Sequence, residues 1–191
     1  MIFKIEEEHF GGAVKVISSN RFPDRRGYYS IPYREDEFAA LGLPTNFVQD
    51  NYSMSVSNVV RGLHFQLNPP MAKLMRVTSG TAFLVTVDLR RESPTFLKWL
   101  GKEVSEYNGL QIWAPAEFAR GICSLTDNCV VQYKTTGMFD AKADSAIRWD
   151  DTDIGIDWPV KYPIVSDRDK AAPTAADYFG DPFPRSDSWV L

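Results

Sequence analysis

Residues 72–89 read Ala72-Lys73-Leu74-Met75-Arg76-Val77-Thr78-Ser79-Gly80-Thr81-Ala82-Phe83-Leu84-Val85-Thr86-Val87-Asp88-Leu89. Two runs rich in apolar and β-branched residues flank Ser79-Gly80, and a glycine between such runs supplies the turn of a β-hairpin. The pattern extends in both directions. Downstream, Gly101 to Glu106 and Leu110 to Trp113 flank Asn108-Gly109, and Gly121 to Leu125 and Cys129 to Thr135 flank Thr126-Asp127-Asn128. Asn-Gly and Asp-Asn pairs tolerate the positive φ that tight turns require. Upstream, Val59 to Gln66 is a further apolar run. Turn signals recur roughly every 8 to 15 residues across this region, the spacing of an antiparallel sandwich or barrel. Helix is scarce. Arg34 to Leu41 carries Phe38 and Leu41 on one face with Gly42 to end it, and a second short helix is predicted within Ala171 to Phe179. The prediction is all-β: one jelly-roll domain over residues 1–191, with N- and C-terminal extensions and a few short helices. Residues 172–191, rich in Asp and Pro, are expected to wrap the surface or a partner subunit.

The 191 residues, 44% hydrophobic and 24% charged, suit one globular core. A net charge of −4 argues against a nucleic-acid partner, which needs a basic field to displace counterions from phosphate. A small anionic ligand stays open if basic residues cluster. Cys123 and Cys129 are expected as buried thiols in a reducing compartment. His9 and His64, the two histidines, are far apart in sequence, a poor start for a metal site. The N-terminus turns acidic after Ile5, and no run approaches the roughly 20 apolar residues of a membrane span. The expectation is a soluble cytoplasmic protein without membrane contact.

Chemistry concentrates in Val59-Val60-Arg61-Gly62-Leu63-His64-Phe65-Gln66, followed by Lys73. In a regular strand Arg61, Leu63 and Phe65 point one way and His64 and Gln66 the other. Arg61 and His64 reach one pocket readily only if Gly62 marks a bulge. Alone, His64 reads more readily as a hydrogen-bonded core histidine than as a site residue. In Phe22-Pro23-Asp24-Arg25-Arg26-Gly27-Tyr28-Tyr29, guanidinium forks beside aromatic rings suit a nucleoside diphosphate or, equally, a solvated turn. Tyr133, in Val130-Val131-Gln132-Tyr133-Lys134, sits on a strand where a core tyrosine is ordinary.

Several motifs in fixed order resemble one family. They are Arg61-Gly62-Leu63-His64-Phe65-Gln66, Val87-Asp88-Leu89-Arg90, Ser93-Pro94-Thr95-Phe96, Tyr133-Lys134, Ile147-Arg148-Trp149-Asp150-Asp151 and Gly155-Ile156-Asp157-Trp158-Pro159. Together they are similar to the dTDP-4-dehydrorhamnose 3,5-epimerases, from about residue 10 to 175. The resemblance implies a cupin-type jelly roll, a homodimer, and epimerisation at C3 and C5 of a nucleotide-linked 4-keto-6-deoxy sugar. It implies no metal or organic cofactor, and a place in deoxysugar or surface-polysaccharide synthesis.

Residue by residue, the resemblance makes His64 the general base, oriented by Asp169, and Tyr133 the general acid on the opposite face. Lys73 and Arg61 are the cations near the sugar carbonyl and phosphates, and Gln49 and Asn51 are polar contacts to base and phosphate. Arg26 corresponds to a pyrophosphate contact, with Phe22 and Tyr29 as its aromatic neighbours; Phe139 stands where a base-stacking Tyr is usual, and Asp144 where Glu is common. Two positions depart from the pattern. Arg120 replaces a usual His, to contact ligand or pair with Glu117, and Ile31 replaces a usual Glu. Both keep open a C3-only epimerase or one acting on a different nucleotide-linked 4-keto sugar. A non-catalytic sugar-nucleotide-binding jelly roll would have lost the base and acid that this chain retains. A metal-dependent cupin oxygenase needs a His-x-His cluster that the sequence lacks.

Overall fold

The computed structural model describes residues 1–180; the expected wrapping segment falls largely on 181–191, outside the described residues. Strands β1 (Phe3–His9), β2 (Val14–Ser19), β5 (Gln49–Ser55), β7 (Lys73–Ser79), β10 (Leu110–Ala114) and β12 (Cys129–Thr135) form one sheet in the order β1-β2-β10-β7-β12-β5. The second sheet runs β13 (Asp144–Ala146), β6 (Val59–Gln66), β11 (Phe118–Ser124), β8 (Thr81–Asp88) and β9 (Trp99–Ser105), with the short β14 (Ile164–Val165) parallel to β6. Strands β3 (Arg21–Asp24) and β4 (Gly27–Ser30) make a separate hairpin. Three short helices complete the fold: α1 (Glu35–Ala40), α2 (Asp167–Lys170) and α3 (Ala175–Phe179). Helix α2 is unexpected from sequence, since four residues are too few to show helical periodicity. Among the described residues no helix is long and apolar enough to cross a membrane.

This is the expected jelly roll, but its turns work differently from simple hairpins. Strand β7 hydrogen-bonds to β10 and β12, whereas β8 hydrogen-bonds to β11 and β9. Ser79-Gly80 is therefore a corner between sheets, as are the β9–β10 and β11–β12 connections. Gly80 takes φ +72, and a Cβ there would stand 2.2 Å from Thr126 Oγ1. The corner lets successive strands meet face to face across the core rather than edge to edge. Met75 and Val77 of β7 and Ala82 and Leu84 of β8 share one buried cluster with Ile112, Phe118 and Val131. The outer face of the second sheet is covered as well, with Leu63, Phe65, Val85 and Val87 packed under Ile147, Ile154 and α3. Burial on both faces accounts for near-continuous apolar runs in place of strict alternation.

The Val87-Asp88-Leu89-Arg90 and Ser93-Pro94-Thr95-Phe96 motifs meet at one carboxylate. Asp88 is fully buried and accepts from the Arg90 backbone N–H (3.0 Å), Arg90 Nε (2.8 Å), Ser93 Oγ (2.8 Å) and Thr95 Oγ1 (2.6 Å). Burial pushes its pKa up, but the bonds from Arg90, Thr95 and Ser93 more than offset it and hold the carboxyl below its ordinary range. Asp88→Asn should destabilise the protein by about 2–3 kcal/mol in urea unfolding, because buried donors lose a charged acceptor. A carboxyl with a depressed folded pKa contributes stability that is present above about pH 4 and lost as pH falls through the folded value. The variant should lack that part of the acid dependence.

Candidate active site

The site begins with a bulge in β6. Arg120 pairs with His64 and Ile122 with Arg61, so three steps on β6 oppose two on β11. Gly62 absorbs the extra residue at φ +118, and a Cβ there would lie 2.6 Å from the Arg120 carbonyl oxygen. Past the bulge, Leu63 and Phe65 face the outer cluster, while His64 lines a cavity between the sheets and Arg61 reaches toward β5. The conditional expectation that Gly62 breaks the alternation is thus realised.

Strand β14 lies along β6 and delivers α2 beside it. Ser166 caps that helix, its side chain accepting from the Asp169 N–H at 3.1 Å. Asp169, only 3% exposed, places Oδ1 2.7 Å from His64 Nε2, and its Oδ2 accepts from the Gly62 N–H at 3.2 Å. Burial pushes the carboxyl up, yet the His64 ring and the Gly62 and Ser166 bonds win and hold it below its ordinary range. An ionised Asp169 fixes the ring orientation.

Opposite His64, the first sheet supplies Lys73, Tyr133, Gln49 and Asn51, and the cavity of about 300 Å³ is completed by Met71, Phe139, Asp144 and Arg168. Lys73 Nζ lies 5.1 Å from the Tyr133 ring centroid. Burial, then the charge of Arg120, pushes Lys73 down to about 7, with Asp144 opposing. Burial and Asp144 push the Tyr133 phenol up against Arg61, so it carries its proton at neutral pH. Gln49 donates to Asn51 Oδ1 (2.6 Å) and accepts from the Phe139 N–H (3.0 Å), which leaves Asn51 Nδ2 buried and unpartnered among the described residues. Arg168 pairs with Asp144 at 2.6 Å. Arg168 and Met71 are absent from the sequence-derived set; Arg168 adjoins Asp169, and that adjacency was the available signal.

Other predicted residues lie elsewhere. Phe22, Arg26 and Tyr29 sit exposed on the β3–β4 hairpin, with Arg26 paired to Asp24 (2.6 Å), and none of them lines the cavity. Arg61 donates to Ser55 Oγ (3.1 Å) and the Met54 carbonyl (3.3 Å) at its side. Arg120 shares the inter-sheet face with His64 but does not line the cavity, because the carbonyls of Ala114 and Pro115 capture its Nη2. Glu117 makes no hydrogen bond to it and acts only through its charge. Ile31 packs in the cluster around Phe38 and Trp113, so that departure is absorbed by packing.

A half-buried histidine held by a buried carboxylate, facing a protonated phenol and a lysine, is equipped to move protons at a carbon next to a carbonyl. A family model described as dTDP-4-dehydrorhamnose 3,5-epimerase matches residues 11–177. The chain belongs to that family. The dTDP-4-dehydrorhamnose 3,5-epimerase of Methanothermobacter thermautotrophicus is 43% identical over 171 residues, covering 88% of this chain and 92% of that one. Among solved structures, the Bacillus anthracis dTDP-4-dehydrorhamnose 3,5-epimerase with TDP and PPi bound superposes with a TM-score of 0.87 at 39% identity, covering 90% of this chain and 99% of that one. The Legionella pneumophila dTDP-6-deoxy-D-glucose-3,5-epimerase in complex with dTDP-4-keto-L-rhamnose gives 0.87 at 32% identity, covering 97% and 100%. This epimerase is an isomerase of nucleotide-linked sugars on a cupin-type jelly roll.

Lys73 is held in a place that stability alone would not choose. A lysine whose folded pKa lies below its unfolded value disfavours folding in the charged form, so stability should rise with pH between about 7 and the unfolded value. Lys73→Met should raise folding stability at pH 7 by about 3 kcal/mol and flatten that alkaline dependence, while turnover collapses. Urea titrations at pH 7 and pH 9 check both halves.

Proposed function

We propose that this epimerase inverts C3 and C5 of a dTDP-linked 4-keto-6-deoxy sugar with His64 as base, Tyr133 as acid and Lys73 as the cation at the carbonyl oxygen. The observation that carries the assignment is the 2.7 Å His64–Asp169 pair in the same cavity as Lys73 and the protonated Tyr133. Neutral His64 takes the proton from the carbon beside the ketone, and the electron pair moves onto the carbonyl oxygen as an enolate. Asp169 favours the imidazolium that forms, and Lys73 stabilises the oxyanion. Tyr133 returns a proton from the other face and inverts the centre. Once the imidazolium has given its proton to water and the Tyr133 phenolate has taken one back, the same cycle at the second carbon completes the reaction, and no redox cofactor enters the balance.

Asn51 Nδ2, Gln49 and Phe139 line the same cavity and suit a phosphate and a nucleobase. Arg26, Phe22 and Tyr29 belong to a site through a second copy of the chain. Tyr29 is 65% and Phe22 47% exposed, and neither lines the cavity of its own chain. In this homodimer each hairpin covers the partner cavity, and Arg26 offers a guanidinium fork suited to a pyrophosphate.

Incubation with dTDP-4-keto-6-deoxyglucose in deuterated water, read by NMR, should place label at C3 and C5. Label at C3 alone selects a C3-only epimerase, and label at neither carbon overturns the substrate assignment. His64→Asn and Tyr133→Phe should each lower product inversion by about two to four orders of magnitude, with Asp169 and the fold retained. Near wild-type turnover in either variant sinks the role assigned to that side chain. The trans arrangement has its own test. Mixed and re-equilibrated His64→Asn and Arg26→Ala chains should recover about a quarter of wild-type activity, since half the dimers carry one intact composite site. No recovery, or a monomer by light scattering, overturns it.

A further inference from the structure

Arg120 is buried for a reason that packing does not supply. In the second sheet it pairs with Thr86 of β8 on one side and His64 of β6 on the other. Directly paired residues present their side chains to the same face, so Arg120 enters the space between the sheets. It is 3% exposed. Its Nη2 crosses to the first sheet and donates to the Ala114 carbonyl at 3.0 Å and to the Pro115 carbonyl. Ala114 is in turn the ladder partner of Lys73, so the guanidinium is anchored one strand away from the lysine. Its Nε and Nη1 have no hydrogen-bond partner among the described residues, and neither does Thr86 Oγ1 beside it.

The charge is not neutralised locally. Neutral carbonyls hold the side chain, and Glu117 supports it only from a distance. Burial pushes Arg120 down to about 9, which still leaves a cation at neutral pH. Such an arrangement costs stability relative to an apolar residue of similar volume. It also places a fixed positive charge against Lys73, whose other neighbours are Asp144 from β13, the Tyr133 ring from β12, and His64 and Arg168 across the cavity.

We propose that Arg120 is a positioning residue that acts through Lys73: a water-excluded fixed charge, locked to β10 at the ladder partner of the lysine, that adds to the field favouring the enolate. The inference rests on the role of Lys73 proposed above. Negative charge on the carbonyl oxygen develops only as the α-proton leaves, so a fixed cation behind Lys73 lowers the barrier without a ground-state contact to the sugar. An ammonium group balanced near neutrality is also matched to share a proton with an enolate oxygen, which an ordinary lysine is not.

The test is the pH dependence of kcat/KM for deuterium exchange into dTDP-4-keto-6-deoxyglucose, together with the titration of Lys73 followed by carbon-13 NMR at Cε. In the wild type the alkaline limb and the Lys73 titration should coincide near pH 7. Arg120→Gln keeps donors for the Ala114 and Pro115 carbonyls but removes the charge, and should move both upward by about one pH unit. Arg120→Lys keeps the charge and should leave both in place. Equal positions in wild type and Arg120→Gln, or equal shifts in both variants, overturn the proposal. If neither variant folds, the wild type still decides: a Lys73 titration near the ordinary 10.4 overturns it. A wild-type protein that exchanges no deuterium while Lys73 titrates near 7 instead refutes the assigned reaction and leaves the pairing of Arg120 with Lys73 standing.

Discussion

A missing Cβ at Gly62 is the constraint on which the rest of the site depends. The Arg120 carbonyl passes through the space that a side chain would fill, and the backbone takes a φ of +118 that L side chains rarely adopt. Three consequences meet there. The β6 register slips by one residue against β11, which brings His64 and Arg61 into the same part of the fold. The freed Gly62 N–H bonds Asp169, the same carboxylate that holds the His64 ring. The close approach of β11 also sets Arg120 beside His64 in the ladder. A single larger residue would disturb base, orienting carboxylate and buried cation together.

The jelly roll divides its interior between two purposes. Over most of its length the inter-sheet space is apolar, filled by Val14, Met75, Leu84, Ile112 and Phe118. At one end the same faces carry His64, Lys73, Tyr133, Thr86 and Arg120. Burying a lysine and an arginine with no hydrogen-bonded carboxylate for either among the described residues is costly, and both have lowered pKa values because burial disfavours their charged forms. The cost is carried by elements remote from the chemistry, among them the Asp88 loop anchor and the apolar layers on both faces of the second sheet. Stability is spread over the scaffold so that the site can hold groups in unfavourable states.

Much of the site is legible in sequence because its members sit in motifs of fixed spacing. His64, Lys73 and Tyr133 fall on three strands recognisable from their apolar neighbours, whereas Asp169 is legible only through the family resemblance, because the four-residue helix that carries it is too short to show a periodicity. The placement of Arg120 is not legible, since nothing local tells whether an arginine on an apolar strand points to a ligand or into the core. Arg168 is similarly hidden: it adjoins a conspicuous aspartate, but its partner, Asp144, is 24 residues away. The hairpin residues Phe22, Arg26 and Tyr29 form a recognisable cluster of side chains, yet their cluster stands apart from the cavity of its own chain.

The amino-acid sequence alone determines where the chain turns, that it folds as β, and which residue types are available for proton transfer. The backbone preferences of glycine and asparagine are local properties, and so they mark turns before any tertiary contact is made. Which strands pair is decided only in three dimensions. Ser79-Gly80 reads as the turn of a hairpin and becomes a corner between sheets, because Met75 and Val77 of β7 and Ala82 and Leu84 of β8 bury against one another only when the two strands lie in opposite layers. The same layering converts separate motifs into one site, joining His64 to Asp169 across 105 positions and setting both opposite Lys73 and Tyr133. Burial then assigns the chemistry, for the low pKa of Lys73 and the retained proton of Tyr133 arise from exclusion of water, which no stretch of sequence produces by itself.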